Sequence, residues 1–257
     1  MEHILTERRG GVLAITLNRP ERLNAAPPAM FEEISATLAD LRGARSVLIA
    51  GAGRAFCSGA DVAGAAGGGN PGEVTHAALT GSYNPALLAI ADLGVPVVSA
   101  VRGPAAGIGC SLALAADFCV ASDTAYFLQA FVNIALVPDG GASWMLPRLI
   151  GKARATEMMM LGERVAAGRA HDWGMVHSVV PDDQLDAQAM ALAERLAAGP
   201  TRAYGAIRQQ IRTGYEGDYA AAMAREADNQ RAMRGTADAN EGGRAFLEKR
   251  APRFEGR

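Results

Sequence analysis

Four short apolar runs, at residues 12–17, 46–50, 95–101 and 117–121, alternate with segments whose apolar side chains recur at helical spacing. In residues 30–41, for example, Met30, Ile34, Leu38 and Leu41 fall on one helical face. Strands that take turns with helices restrict the chain to an α/β architecture with helices packed outside the sheets. The punctuation agrees: Gly10-Gly11 turns into the first run, Asn18-Arg19-Pro20 stops it, Pro27-Pro28 opens the helix at 30–41, and Gly94 ends one at 84–93. Residues 64–72 are nearly all Gly and Ala, cannot build a core, and are expected to form a mobile loop. Beyond Ala187 the strand signals fade, and residues 187–198, 201–213 and 218–234 read as helices. This predicts an α/β core over 1–195 and an all-helical region over 196–257.

Composition removes several function classes. With 257 residues, 49% of them apolar, the chain can bury a large core. Lys and Arg total 25 against 27 Asp and Glu, so no basic excess points to a nucleic acid. Cys57, Cys110 and Cys119 lie in apolar stretches without a CxxC pair, which predicts small core residues in a reducing compartment. His171 and His177 are six apart with no carboxylates framing them, so no metal site is expected. Charges are scattered through the first twenty residues and no run reaches the roughly 18 apolar residues of a membrane span. A cytoplasmic protein is expected.

Two segments carry chemical promise. Residues 56–61 (FCSGAD) and 107–111 (GIGCS) each follow a strand, and the second opens an apolar helix. Small residues allow a ligand close to the backbone, and the first amides of a helix lack internal partners. Two such amides from different segments can clamp one oxyanion; tight structural turns are the plainer alternative. Gly51-Ala52-Gly53 imitates a dinucleotide fingerprint, but Phe56 stands where its third glycine belongs and no helix obviously follows.

The order and spacing of 47–51 (VLIAG), 56–61, 96–103 (PVVSAVRG), 107–117, 136–141 (LVPDGG) and 241–250 (EGGRAFLEKR) resemble the crotonase (enoyl-CoA hydratase/isomerase) superfamily. The resemblance runs from about residue 4 to 256. It implies a crotonase spiral of ββα units and a C-terminal helical region that packs at a trimer interface, giving a homotrimer or a hexamer. It implies a coenzyme A thioester as substrate and no cofactor. The amides of Ala60 and Ile108 become the oxyanion hole, although the family typically has glycine where Ile108 stands. Asp61 orders its loop, and the backbone of Ala60, Asp61 and Val62 lies near the pantetheine and adenine. Arg22 contacts the coenzyme A, as do Phe246 and Lys249 from a neighbouring subunit. The loop at 64–80 caps the acyl pocket, with Phe131 on its wall.

A family hydratase uses two glutamates, and the matching positions hold Ser111 and Phe131. Neither accepts a proton from water at neutral pH. Asp139, in Leu136-Val137-Pro138-Asp139, instead resembles the branch acting on 1,2-epoxyphenylacetyl-CoA and on double-bond positions in enoyl-CoAs. One carboxylate suffices to move a proton between two carbons. An apolar wall of Phe131, Leu136 and Trp144 is expected to raise its pKa. The plainer role for Asp139 is a helix N-cap ahead of Gly140. Hydration, an aspartate nucleophile attacking an aryl-CoA, and acyl-CoA binding without catalysis are the competing functions.

Overall fold

The computed structural model describes residues 1–61 and 70–257. Its main sheet has six strands in the order β1 (Ile4–Arg9), β2 (Val12–Leu17), β3 (Ser46–Gly51), β4 (Val97–Val101), β6 (Phe118–Ser122) and β9 (Ser178–Val180). Gly10 and Gly11 turn β1 into an antiparallel hairpin with β2, and every later pairing in this sheet is parallel. A second sheet joins β5 (Pro104–Ala106), β7 (Tyr126–Leu128) and β8 (Val165–Ala166).

Side chains alternate across a strand, so the parallel strands must be apolar on both faces. Val47, Ile49, Val97 and Val101 enter the larger core. Leu48, Val98, Ala100 and Val120 point the other way, onto α7 (Leu185–Ala197), which presents Leu185, Ala189, Leu192, Ala193 and Leu196. The larger core is closed by α1 (Pro28–Ala39), α3 (Asn84–Asp92), α4 (Ile108–Leu114) and α5 (Ala142–Leu161). Between α1 and α3 lie α2 (Pro71–Ala78) and a single π-helical turn, Leu79–Tyr83.

The short α6 (Ala167–Asp172) precedes β9, and α8 (Thr201–Gly214), α9 (Tyr219–Arg234) and α10 (Ala237–Leu247) come after α7. Residue 195, where the composition changes character, falls inside α7, so the chain passes from sheet layer to helical region along one helix. Arg208 staples α8 to the core: its guanidinium holds Asp117 at 2.7 Å and donates to the carbonyls of Ile90 and Leu93 at the end of α3. Among the described residues, no helix is long and apolar enough to cross a membrane.

Residues 71–83 depart from the loop expected at 64–80. Asn70 caps α2 by accepting from the Gly72 N–H (2.9 Å), and His76 is exposed on that helix. The Gly/Ala run misleads because its far end supplies a cap and Pro71, a first-turn residue, to a helix. The rest of that loop, and Val62, lie outside the described residues.

Candidate active site

Cys57 pairs with Ala105 as a parallel bridge, with Cys57 N–H donating to Pro104 (3.0 Å) and Ala106 N–H donating to Cys57 (2.9 Å). Two residues further on, Gly59 comes beside Gly107. Glycine at 107 is called for by its backbone, φ +53° and ψ −125°, rather than by space: a Cβ there would make only ordinary contacts, 3.9 Å from the Gly59 Cα and 3.5 Å from the Phe131 ring. A Cβ on Gly109 would come within 2.5 Å of the Cys57 carbonyl.

The orientation of each amide follows from the carbonyl in the same peptide plane, because N–H and C=O point oppositely in a trans peptide. Ala26 N–H donates to the Gly59 carbonyl (2.8 Å), and Asp61 N–H donates back to Ala26 (3.0 Å). The Ala60 N–H therefore faces away from Ala26. The Gly107 carbonyl accepts from Cys110 (3.0 Å) and Ser111 (3.2 Å) inside the first turn of α4, which turns the Ile108 N–H outward from the helix start. Neither amide has an acceptor among the described residues.

Ile108 fills a position usually given to glycine without obstructing its own amide. Its side chain is buried, and its Cδ1 would lie 2.5 Å from a Cβ on Gly140. The same turn carries Asp139. The Ser111 hydroxyl, fully buried, donates to the Asp139 carbonyl (3.1 Å), and Gly140 adopts φ +59° against Ile108, Ser111 and Leu87. The position where a hydratase keeps a glutamate thus anchors the backbone of the carboxylate-bearing turn.

The Asp139 Oδ1 is buried and has no hydrogen-bond partner. Burial alone raises its pKa from 3.8 to about 6, since an ion withdrawn from water loses solvation that nothing here replaces. Asp139 is not a helix cap: Gly141 occupies the N-cap of α5, with no side-chain cap bond. The apolar wall also differs from expectation. Leu136 is 53% exposed, and Trp144 turns outward to stack with Arg148 (4.1 Å) and Tyr215. Ile108 and Leu87, packed on the adjacent Gly140, lie nearest the turn instead. Leu136 and Trp144 are both near Asp139 along the chain, but Leu136 is turned to solvent before Asp139 is reached, and the double-glycine turn lies between Asp139 and Trp144.

Among the remaining expected residues, Asp61 pairs with Arg19 (2.8 Å), and both side chains are largely buried. Arg22 is exposed, its side chain makes no hydrogen bond or ion pair among the described residues, and its carbonyl accepts from Ser58 (3.4 Å). Phe131 lies against Gly107. Phe246, 82% exposed, and Lys249 sit at the end of α10, which packs on α9 and on the C-terminal Phe254. Neither Phe246 nor Lys249 is hydrogen-bonded to Ala60 or Asp139 among the described residues.

Sequence reasoning misses three contributors. Asn24, fully buried with φ +54°, donates to Ala52 (3.0 Å) and Ala55 (2.8 Å) and accepts from Arg19 (2.8 Å). Arg19 is visible in sequence only as part of a strand stop. Tyr83 donates its hydroxyl to the Ala26 carbonyl (2.8 Å) and meets Phe31 edge-on. Burial holds its phenol above the ordinary range, assisted by the Asp139 and Asp61 carboxyl groups nearby. An asparagine after a proline-stopped strand is a usable signal for a polar clamp; a lone tyrosine ahead of a helix is not.

Two glycine-bordered turns whose Ala60 and Ile108 amides find no acceptor among the described residues, on parallel sheets with a trailing helical region, define an α/β protein of the crotonase fold. The model of the family described as enoyl-CoA hydratase/isomerase matches residues 7–257. A probable enoyl-CoA hydratase of Rhodobacter capsulatus is 43% identical across 96% of this chain and 95% of its own. The 1,2-epoxyphenylacetyl-CoA isomerase of Escherichia coli is 39% identical across the full length of both. A solved putative enoyl-CoA hydratase from Streptomyces coelicolor superposes with a TM-score of 0.94 at 34% identity, covering 100% of this chain and 95% of that one. The chain belongs to the enoyl-CoA hydratase/isomerase family and is an acyl-CoA enzyme of that family.

Proposed function

We propose that this enzyme is an isomerase that shifts a proton, and with it a double bond, through a thioester enolate. The supporting observation is the lone Asp139 carboxylate: its Oδ1 is buried and unpartnered, and its pKa is raised to about 6. Asp139 removes a proton from a carbon conjugated with the thioester. The electron pair of the broken C–H bond moves onto the thioester oxygen, where the N–H groups of Ala60 and Ile108 stabilise the negative charge. The Asp139 carboxylic acid then returns the same proton to a different carbon, so no water or second acid is consumed. A base of pKa near 6 is ionised at neutral pH yet gives the proton back readily.

In this reading Arg22 meets the coenzyme A phosphates, and Phe246 and Lys249 reach the same ligand from a neighbouring subunit of a trimer-based assembly held by the 196–257 region. Phe131 lines the acyl pocket, and Asp61 orders the oxyanion loop through Arg19. Hydration is the second reading, favoured by the name of the R. capsulatus relative. Against it, Ser111 is committed to the Asp139 backbone and Phe131 has no ionisable group.

The test is proton exchange beside the carbonyl of a bound acyl-CoA, with turnover screened over trans-2-enoyl-, 3-enoyl- and arylacetyl-CoA thioesters. Asp139→Asn is expected to slow exchange and isomerisation by about 10²–10⁴-fold, and wild-type exchange to weaken below pH about 6. Exchange untouched by the substitution, or hydration of crotonyl-CoA at ordinary enzyme rates, sinks the proposal.

A further inference from the structure

The π-helical turn Leu79–Tyr83 lies outside the two turns that present the amides, yet its last residue reaches into the hydrogen bonds that orient one of them. We infer that Tyr83 is a positioning residue for the oxyanion donor Ala60, acting through Ala26. This inference rests on Ala60 serving as a donor in the proposed reaction.

The chain of contacts is short. The Tyr83 hydroxyl donates to the Ala26 carbonyl at 2.8 Å, and the same oxygen accepts the Asp61 N–H at 3.0 Å. Ala26 in turn donates to the Gly59 carbonyl, the other half of the peptide that carries the Ala60 N–H. Rotation of that peptide is resisted on one side by Ala26 and on the other by the Asp61 bond, and both lead back to the residue Tyr83 holds. Ala60 itself is exposed, so packing does little to fix it, and hydrogen bonds must supply the rigidity.

Tyr83 suits the task. Its ring is buried and set edge-on to Phe31 with centroids 4.8 Å apart, so the hydroxyl has one place to go. Burial, with the Asp139 and Asp61 carboxyl groups nearby, suppresses its ionisation, which keeps the hydroxyl a donor wherever the enzyme works. The π turn matters for direction: one extra residue in the turn rotates the residues after it, and such turns are frequent at functional sites. Substituting Tyr83→Phe removes only the donor and keeps the aromatic contact.

The experiment reads the thioester carbonyl directly. Butyryl-CoA and phenylacetyl-CoA, saturated and isotope-labelled at the carbonyl, are bound to wild type and to Tyr83→Phe. The carbonyl stretch is recorded by difference infrared spectroscopy beside the dissociation constant, and kcat is measured separately on a 3-enoyl-CoA. In wild type the stretch is expected to fall below its value in free solution. In Tyr83→Phe it moves part of the way back, and kcat drops about fivefold to tenfold, as for loss of one supporting hydrogen bond. The dissociation constant changes less than about twofold, because the coenzyme A handle is untouched. A wild-type stretch and kcat in Tyr83→Phe overturn the role of Tyr83 alone. No shift on binding to wild type overturns the oxyanion reading, and the Tyr83 inference falls with it. Asp139→Asn, which is expected to lose turnover but keep the carbonyl shift, separates both from a failure of the proton shuttle.

Discussion

The amides of Ala60 and Ile108, neither with an acceptor among the described residues, are held by opposite means. Ala60 lies on an exposed loop whose geometry is set by polar contacts: Ala26, the Asp61–Arg19 pair, and the Tyr83 hydroxyl. Ile108 begins a helix buried on all sides, and close packing of glycines against Cys57 and Ser111 sets its place. One N–H is aimed by directional bonds, the other by exclusion of space. The first arrangement tolerates small motions and weakens in increments as bonds are removed. The second is stiff, and a single methyl in the wrong place has nowhere to go.

That contrast can be broken by experiment. The largest effect is expected on the packed side. Gly109→Ala places a Cβ 2.5 Å from the Cys57 carbonyl and 2.6 Å from its Cβ, contacts that no rotamer relieves. Helix propensity favours alanine by up to about 1 kcal/mol, yet overpacking of this kind costs about 3 kcal/mol or more. Urea unfolding of the variant should show a net loss of about 2–3 kcal/mol. Unchanged stability means that the two segments are not in tight contact.

The second effect belongs to Asp139 and depends on pH. Its folded pKa, about 6, stands above the ordinary 3.8, so the folded chain binds this proton more tightly than the unfolded chain. The resulting stabilisation is complete below pH about 4 and disappears as pH rises through about 6. Asp139→Asn should therefore be more stable than wild type at pH about 8 by about 1–2 kcal/mol after allowance for solvent screening, and no more stable at pH about 4. Parallel denaturation curves at the two values check this, and a constant difference between the proteins at both refutes it.

The smallest effect is expected on the polar side. Arg19→Met removes the partner of Asp61 in a pair that is neither fully buried nor fully exposed. A loss of about 1 kcal/mol is anticipated at low salt, shrinking in concentrated sodium chloride, because screening already weakens the pair in wild type. Gly109→Ala should show no such salt dependence. Equal salt responses in the two variants erase the distinction drawn between the two turns.

Much of the scaffold is legible in the order of residues alone. The runs at 12–17, 46–50 and 117–121 map onto β2, β3 and β6 with small shifts at their ends, and the helices at 84–93, 201–213 and 218–234 map onto α3, α8 and α9. Long uniform patterns survive translation because each is fixed by its own period. Three-residue strands such as β5, β7 and β9 escape because pairing partners far along the chain, rather than local composition, make them strands. The site divides in the same way. Asp139 stands out through its double glycine, as do the small residues around Ala60 and Ile108. Tyr83, Asn24 and Arg19 do not, since a side chain that bonds a distant backbone leaves no periodic trace. The expected wall of Leu136 and Trp144 fails for a related reason: closeness along the chain fixes neither which way Leu136 faces nor where Trp144 lands after two positive-φ glycines.

Composition, period and motif order by themselves determined that this chain is an α/β protein with a helical C-terminal region and small-residue turns that leave the backbone open to close approach. Those properties are local or are carried in the order of segments, so they can be read one stretch at a time. Only the tertiary structure decided which way each amide points, that the Ile108 side chain turns inward, and that one oxygen of Asp139 is dry and unpartnered. Direction and solvation belong to the packed whole, because both depend on what other parts of the chain occupy or leave empty around a group.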